Sequence, residues 1–581
     1  MLKLIAVFFA FAFIAPSMEA QSVSVSELMA AGQEVLTDGD GDFPDWIELH
    51  NSGSAAVNLT GWHLTDDDAL PKKWTFPAVN IAPGGYLVVF ASAKNRRVAG
   101  QELHTNFSLA ADGEYLALTR PDGTLVSALP FPAQHPGISF GAGARYFTTP
   151  TPNAANSTPF TEVASAPVFS KRHGFVNAPF MLTLTSATPV TVIRFTLDGS
   201  APTETHGDEY AAPISISKTS VVRAASFKAG ALASVIVTRS YVFLADVQQQ
   251  SLDGKAQDGW PASWGNHIVD YGMDTRIVNS PTYGPTFRSD LKSIPTISLV
   301  MDLPDLFDPE LGIYANPYQR GDDWERPVSV ELLDPDGLDQ GFQINAGIRI
   351  RGGASRSSDN PKHAFHILAR GRYGAAELDY PLFGPEGAAS TARFDLRCEQ
   401  IASWHYTHDA NTDFIRDEFA RSNQLALGQP GARGDFCHLY INGQYWGLYN
   451  TQERVRASLG QRYFGGKESD YDVVGLENTS GTAVKDGTFD SWVRLHNAAK
   501  AGLTTNAAYM KVQGLNPDGT RNPAFERLLD VDSLIVYMIA GIYQGINDAP
   551  PSYGTQNNWF AFTSVRQATV VIGCNLAVSK G

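Results

Sequence analysis

Asn345–Phe365 reads NAGIRIRGGASRSSDNPKHAF. Its reading separates a mixed strand-and-helix region from the all-β sequence before it. Ala346–Gly352 predicts a strand, and side chains two apart on a strand share a face, so Arg349 and Arg351 point the same way. Gly352-Gly353-Ala354-Ser355 follows as a small-residue turn whose backbone can approach an anion. Lys362, in Pro361-Lys362-His363, opens the next predicted strand. Two readings stay open: the three cations cradle a phosphate, or the arginines line a solvated sheet face beside an ordinary surface lysine.

Working outward, Gln444–Glu453 predicts a strand-turn-strand that ends on Glu453, with Tyr440, Tyr445, Trp446 and Tyr449 as core aromatics. Arg416 and Asp417 open a predicted helix and are candidates for an internal ion pair. Leu528–Tyr543 has apolar residues at helical spacing and predicts a buried helix ending near Gly545. Asn547-Asp548, Pro550-Pro551 and Asn557-Asn558-Trp559 follow, the last opening another strand. The mixed pattern begins near Pro295.

The chain has 581 residues, which at roughly 150 per domain suggests three or four units. A hydrophobic share of 43% supports true cores, and a net charge of −16 argues against nucleic acid or anionic membrane as a partner. Three cysteines cannot build a disulfide framework; Cys398 and Cys437 are the one candidate pair. Met1–Ala20 places Lys3 before an apolar run from Leu4 to Ala15. That run is too short to span a bilayer and has the length of a signal-peptide core, so export is expected. The P-loop, zincin, nucleophile-elbow and C-x-x-C patterns are absent. His405 and His408 lie in a polar loop without an obvious third ligand and read as solvated.

Residues 21–155 show short strands at regular intervals, punctuated by Asn51-Ser-Gly, Pro83-Gly-Gly and Pro121-Asp-Gly, as in a β-sandwich. The phrases WIELHN and GWHLTDD, with WTFPAVNIAPGGYLVVFAS and LHTNFSLAADGEYLALTRPDG, resemble the lamin-tail domain, an immunoglobulin-like sandwich. Within it, Asp38, Asp40 and Asp42, with Asp45 nearby, could hold Ca²⁺. The other reading is a solvated acidic turn. A Ser/Thr/Pro-rich joint leads to a second β segment, 165–245. Its RFTLDGSAPT (Arg194–Thr203) and VVRAASFKAG (Val221–Gly230) resemble the C-terminal module of chitobiase and β-hexosaminidase. The two sandwiches suggest cell-surface or glycan contacts. Residues 246–291 read as a connector.

From 292 to 581, five phrases in order resemble the kinase-like family of spore coat protein H (CotH). They are IPTISLVMDLPDLFDPELGIYANP, the Asn345–Phe365 stretch, FIRDEFAR (Phe414–Arg421), HLYINGQYWGLYNTQERV (His438–Val455) and GINDAPPSYGTQNNW (Gly545–Trp559). The resemblance implies an atypical protein-kinase-like α+β fold that moves phosphate from ATP to protein hydroxyls with Mg²⁺ or Mn²⁺. It also implies Asp548 as catalytic base, Arg349, Arg351, Lys362 and Glu453 around the nucleotide, and Asn557 or Asn558 on the metal. His363 stands where many members carry a second Lys. After Trp559 the family continues into a Trp-Asp-x-Asp/Glu phrase whose first Asp binds metal. This chain reads FAFTSVRQATVVIGCNLAVSKG, with no Asp or Glu after Asp548. The expectation is a truncated or frame-shifted reading of a longer protein; the alternative is a pseudokinase with a scaffold or adhesion role.

Overall fold

The computed structural model describes residues 22–30, 35–135, 137–264, 267–334, 341–357, 360–399, 403, 413–476, 482–544, 559–564 and 570–573. Two compact units divide the chain, Met1–Glu162 and Val163–Gly581.

The first unit is a β-sandwich. Five strands, in the order Arg145–Phe147, Ser139–Gly141, Val23–Met29, Asp45–Asn51 and Tyr86–Ala91, form one sheet. Leu125–Ala128, Ala117–Thr119, His63–Thr65 and Trp74–Thr75 form a second. Leu28, Trp46, Leu49, Leu64, Trp74 and Leu118 are buried in its core. The Asn51-Ser-Gly turn is fixed by the Asn51 side-chain amide, which donates to the carbonyls of Ala55 (2.8 Å) and Ile81 (3.1 Å). Glu27 and Glu48 lie opposite each other on adjacent strands, both fully buried.

The second unit opens with another sandwich. Its main sheet runs Gly174–Phe175, Val237–Val242, Ser220–Phe227, Val192–Thr196, Asp208–Glu209. The Leu197-Asp198-Gly199-Ser200 phrase makes a turn after Val192–Thr196. The Asp198 carboxylate accepts from the Ser200 amide at 2.9 Å, and Gly199 takes a left-handed φ of 89°.

A seven-stranded barrel follows: β1 (Thr296–Val300), β2 (Arg326–Leu333), β3 (Phe342–Arg351), β4 (Ala364–Leu368), β5 (Arg393–Arg397), β6 (Phe436–Ile441) and β7 (Gln444–Glu453). The order is β1-β2-β3-β4-β5-β7-β6, and β1 closes it by pairing in parallel with β6. Ile297, Leu299, Val330, Ile348, Ile350, Phe365, Ile367, Phe394, Leu396, Leu439 and Tyr449 fill the interior. Alternation therefore turns Arg349, Arg351, His366, Asp395 and Arg397 outward. The core assignment of Tyr440, Trp446 and Tyr449 holds.

The second sandwich is fused to this barrel. Glu331 of β2, fully buried, accepts from His173 Nδ1 at 2.7 Å and from the Ser240 amide and hydroxyl. Ser240 Oγ also meets Ser298 Oγ of β1 at 2.8 Å. Val242, Val247, Leu291, Leu333 and Tyr440 form a shared apolar cluster. In the segment expected to be a connector, Gln250 brackets Tyr445, donating to its carbonyl (3.1 Å) and accepting from its amide (2.8 Å).

The rest of the unit contains α1 (Arg416–Ala426), α2 (Ala457–Phe464), α3 (Asp490–Ala501), α4 (Asn506–Val512) and α5 (Val531–Tyr543). A four-stranded sheet runs β9 (Thr482–Asp486), β8 (Tyr471–Leu476), β10 (Trp559–Ser564), β11 (Val570–Gly573). The helix expected from Leu528 starts at Val531 because the Asp530 side chain caps it, accepting from the Ser533 amide at 2.9 Å. It is not buried all round, as its apolar composition suggested. Tyr537 and Gly541 face inward, while Ile535, Ile539, Ile542 and Tyr543 are exposed. No disulfide joins the buried Cys398 and Cys437.

Candidate functional site

The outer face of β3, β4, β5 and β7 carries a charged lattice centred on Asp395. Register places His366 opposite Asp395, and Asp395 opposite Gln452. The Arg351 Nε donates to Asp395 Oδ2 at 3.0 Å, His366 Nδ1 bonds Oδ1, and Arg454 Nε lies 4.0 Å away. Burial alone would raise the Asp395 carboxyl; His366, Arg351 and Arg454 outweigh it and hold the group well below the usual carboxylate range. Burial pushes His366 down to about 3, against the pull of Asp395 and with help from Arg454 and Arg351, so its ring is neutral.

Arg349 belongs to a neighbouring cluster. Its Nε donates to Glu325 Oε2 at 2.6 Å, and its Nη2 meets Asp322. Arg370 and Arg372 surround the same two carboxylates. Arg349 and Arg351 therefore share a face, as alternation required, but answer to different acids.

Lys362 sits just before β4 and donates to the Trp446 carbonyl. Burial pushes its ammonium down to about 8, and among the described residues no carboxylate pairs with it. Glu453, at the far end of β7, accepts from the Arg433 amide at 2.8 Å and from the Tyr463 hydroxyl. Burial raises its carboxyl. Seven residue steps along β7 separate Trp446 from Glu453, about 23 Å at roughly 3.3 Å per residue. Lys362 and Glu453 do not meet in one site.

The helix α1 is tied to the barrel by Asp417, whose Oδ2 accepts from Arg397 Nη1 (2.8 Å) and Arg421 Nε (3.1 Å). Arg421, 1% exposed, also donates to Asn450 Oδ1 at 2.8 Å and to the Ala432 carbonyl at 3.0 Å. Arg416 reaches Asp413 instead, at 3.1 Å. The sequence reading missed His366, Asp395, Arg397 and Arg454. The alternation in Arg393–Arg397, RFDLR, was the available signal. Asp548, Asn557, Asn558, His405 and His408 lie outside the described residues, as do Met1–Ala20.

In the first unit, Asp38, Asp40 and Asp42 bring carboxylate oxygens within 4.8 Å of one another. Hard oxygens suit Ca²⁺, but the Lys94 ammonium lies at their focus, 2.7 Å from both Asp40 and Asp42 and bonded to Asp38. Arg96 adds a contact to Asp40 at 2.6 Å. Hydrogen bonds from Arg96 and then Lys94 lower the Asp40 carboxyl to about 2. This acidic turn already has its cation. Among the described residues no helix is long and apolar enough to cross a membrane.

Three family models match the chain in order. The lamin tail domain matches residues 16–132, the chitobiase/beta-hexosaminidase C-terminal domain 171–238, and the CotH kinase protein 348–560. The last extends from within β3 to the start of β10. The chain is thus similar to two accessory sandwich modules followed by a kinase-like domain, the kinds and order its sequence resembles. No curated protein matches it.

Proposed function

We propose that the kinase-like domain transfers the terminal phosphoryl group of ATP, with Mg²⁺ or Mn²⁺, to Ser or Thr hydroxyls of an extracellular or envelope protein, and that Met1–Ala20 exports the chain. The observation that carries this reading is the CotH kinase match over 348–560. Phosphoryl transfer is mainly positioning and charge stabilisation. The outer barrel face supports it: Asp395 orients Arg351 and bonds His366, which burial keeps neutral, and Asp417 pins α1 to β5. Asp548 would accept the substrate hydroxyl proton. Asn557 and Asn558 would face the metal, although two neutral amide oxygens are a thin donor set for Mg²⁺, which then keeps water and phosphate oxygens.

Mg-ATP should raise the melting temperature, since a ligand of the native state stabilises by RT ln(1 + [L]/Kd). Asp548→Ala should abolish transfer to protein with the melting temperature unchanged. Transfer retained in that variant removes Asp548 as base. The second reading is a scaffold or adhesion protein, favoured by the sandwich fused to the barrel through Glu331. A melting temperature indifferent to millimolar Mg-ATP would favour the scaffold.

A further inference from the structure

β5 and β7 pair with Asp395 opposite Gln452 and Phe394 opposite Glu453. One step further along the same antiparallel register, Arg393 comes opposite Arg454. Both fall on the outward face that carries Asp395, by the two-residue alternation. Facing positions on paired strands hold their Cβ atoms about 5 Å apart, and like charges there repel. A sequence gains nothing in stability from two arginines so placed.

Their partners sharpen the point. Among the described residues the Arg393 side chain has no hydrogen bond and no ion pair, and Arg454 reaches only Asp395, at 4.0 Å. Neither is fully exposed: the Arg454 side chain keeps 25% of its surface and Arg393 is half-buried. Arg456 stands two residues beyond Arg454, but it is engaged by Asp486 at 3.2 Å and by the Lys485 carbonyl. Burial lowers both guanidiniums, Arg454 to about 10 despite Asp395; neighbouring arginines lower each further, while Asp486 and Glu468 pull Arg393 partly back, and both stay charged at neutral pH. Asp395 is shared among Arg454, Arg351 and His366, and half-buried guanidiniums with so little direct pairing are otherwise costly.

We propose that Arg393 and Arg454 form an anion site for the phosphoryl oxygens of a polyphosphate chain, set where β7 leaves the barrel. Two planar forks set at facing strand positions suit a tetrahedral, multiply charged oxyanion, which can accept from both at once. A single carboxylate would neutralise only one. This places the phosphate contact away from Lys362 and from Arg349, which is held by Glu325 and Asp322. That the polyphosphate belongs to a nucleotide rests on the kinase-like reading above; the anion site itself does not.

The test titrates the full chain at low salt with sodium tripolyphosphate, with ATP in EDTA, and with adenosine. The proteins are the wild type, Arg393→Gln, Arg454→Gln, and Lys500→Gln as control. Tripolyphosphate should bind the wild type and control alike, and at least tenfold more weakly to either arginine variant. Without anion, Arg393→Gln should melt at or above the wild-type temperature, because a repulsion has been removed. Arg393→Gln melting well below wild type without anion makes that arginine structural and overturns the proposal, as does equal tripolyphosphate binding across all four proteins. ATP binding that survives in both variants overturns the site and leaves the nucleotide reading standing. Tripolyphosphate binding lost in the variants, with no ATP binding to wild type, keeps the site and removes the nucleotide.

Discussion

Glu48 is the residue whose environment has the clearest measurable consequence. It is fully buried opposite Glu27, and accepts from the Ser26 hydroxyl at 2.7 Å and the Asn153 amide at 2.6 Å. Burial raises its carboxyl to about 7, with Glu27 adding to the effect against those hydrogen bonds. A carboxyl whose native pKa is raised binds its proton more tightly when folded. Stability is therefore lost as pH rises between about 4.5 and 7. Glu48→Gln should remove that loss, gaining up to about 3 kcal/mol relative to wild type between pH 5 and pH 8. Urea midpoints at the two pH values measure it, and an equal difference at both would exclude a raised Glu48 carboxyl. At this scale Arg351 was legible, because the period of two needs only its neighbours. Asp395 and His366 were not, because 24 residues separate β4 from β5 and only register brings them together.

At the scale of elements, the close approaches are what constrain substitution. Gly460 on α2 lies against the ring of Phe562 on β10, and a Cβ there would fall inside the ring edge. Gly460→Ala should cost about 2–3 kcal/mol by overpacking despite the better helix former, read as a lower denaturation midpoint. The α1–barrel tie gives a second expectation. Asp417→Ala takes a shared carboxylate from the buried Arg421, which keeps Glu418 at 2.7 Å, and from Arg397, and should cost about 2–3 kcal/mol. If Asp417→Ala unfolds at the wild-type urea concentration, α1 is held by its apolar contacts instead. The strand β3 was legible from alternation; Gln444–Glu453, read as a strand-turn-strand, is the single strand β7, because the turn falls earlier, at Asn442-Gly443 between Ile441 and Gln444. The burial of α5 was misread because apolar composition alone does not say how many faces a helix packs. Lys362 and Glu453 looked like co-members of one site because sequence order hides that they sit at opposite ends of β7.

For the whole molecule, the two units predict two heat-absorption peaks in calorimetry, one for Met1–Glu162 and one for Val163–Gly581. The second sandwich should not melt on its own. Glu331→Ala, which unpairs His173 and Ser240 at the seam, should lower only the second peak, by about 5 °C or more. A third peak assignable to the second sandwich would show the seam to be weak. The composition of the modules was readable from their turn phrases. Their fusion was not, since Glu331 and His173 are 158 positions apart and neither has a local pattern to mark it.

The parallel pairing that closes the barrel also sets a clock. β1 cannot find its second neighbour until β6 has been made, about 140 residues later. At roughly 5–20 residues per second, that is about 7–28 s during which one border of the nascent sheet stays open. An open border of unpaired amides and carbonyls is a template for any passing strand. The pace of translation through 301–435 thus becomes a determinant of yield. Synonymous codon changes that slow this stretch, with no change in the protein, should increase the aggregated fraction unless a chaperone covers β1 during the wait.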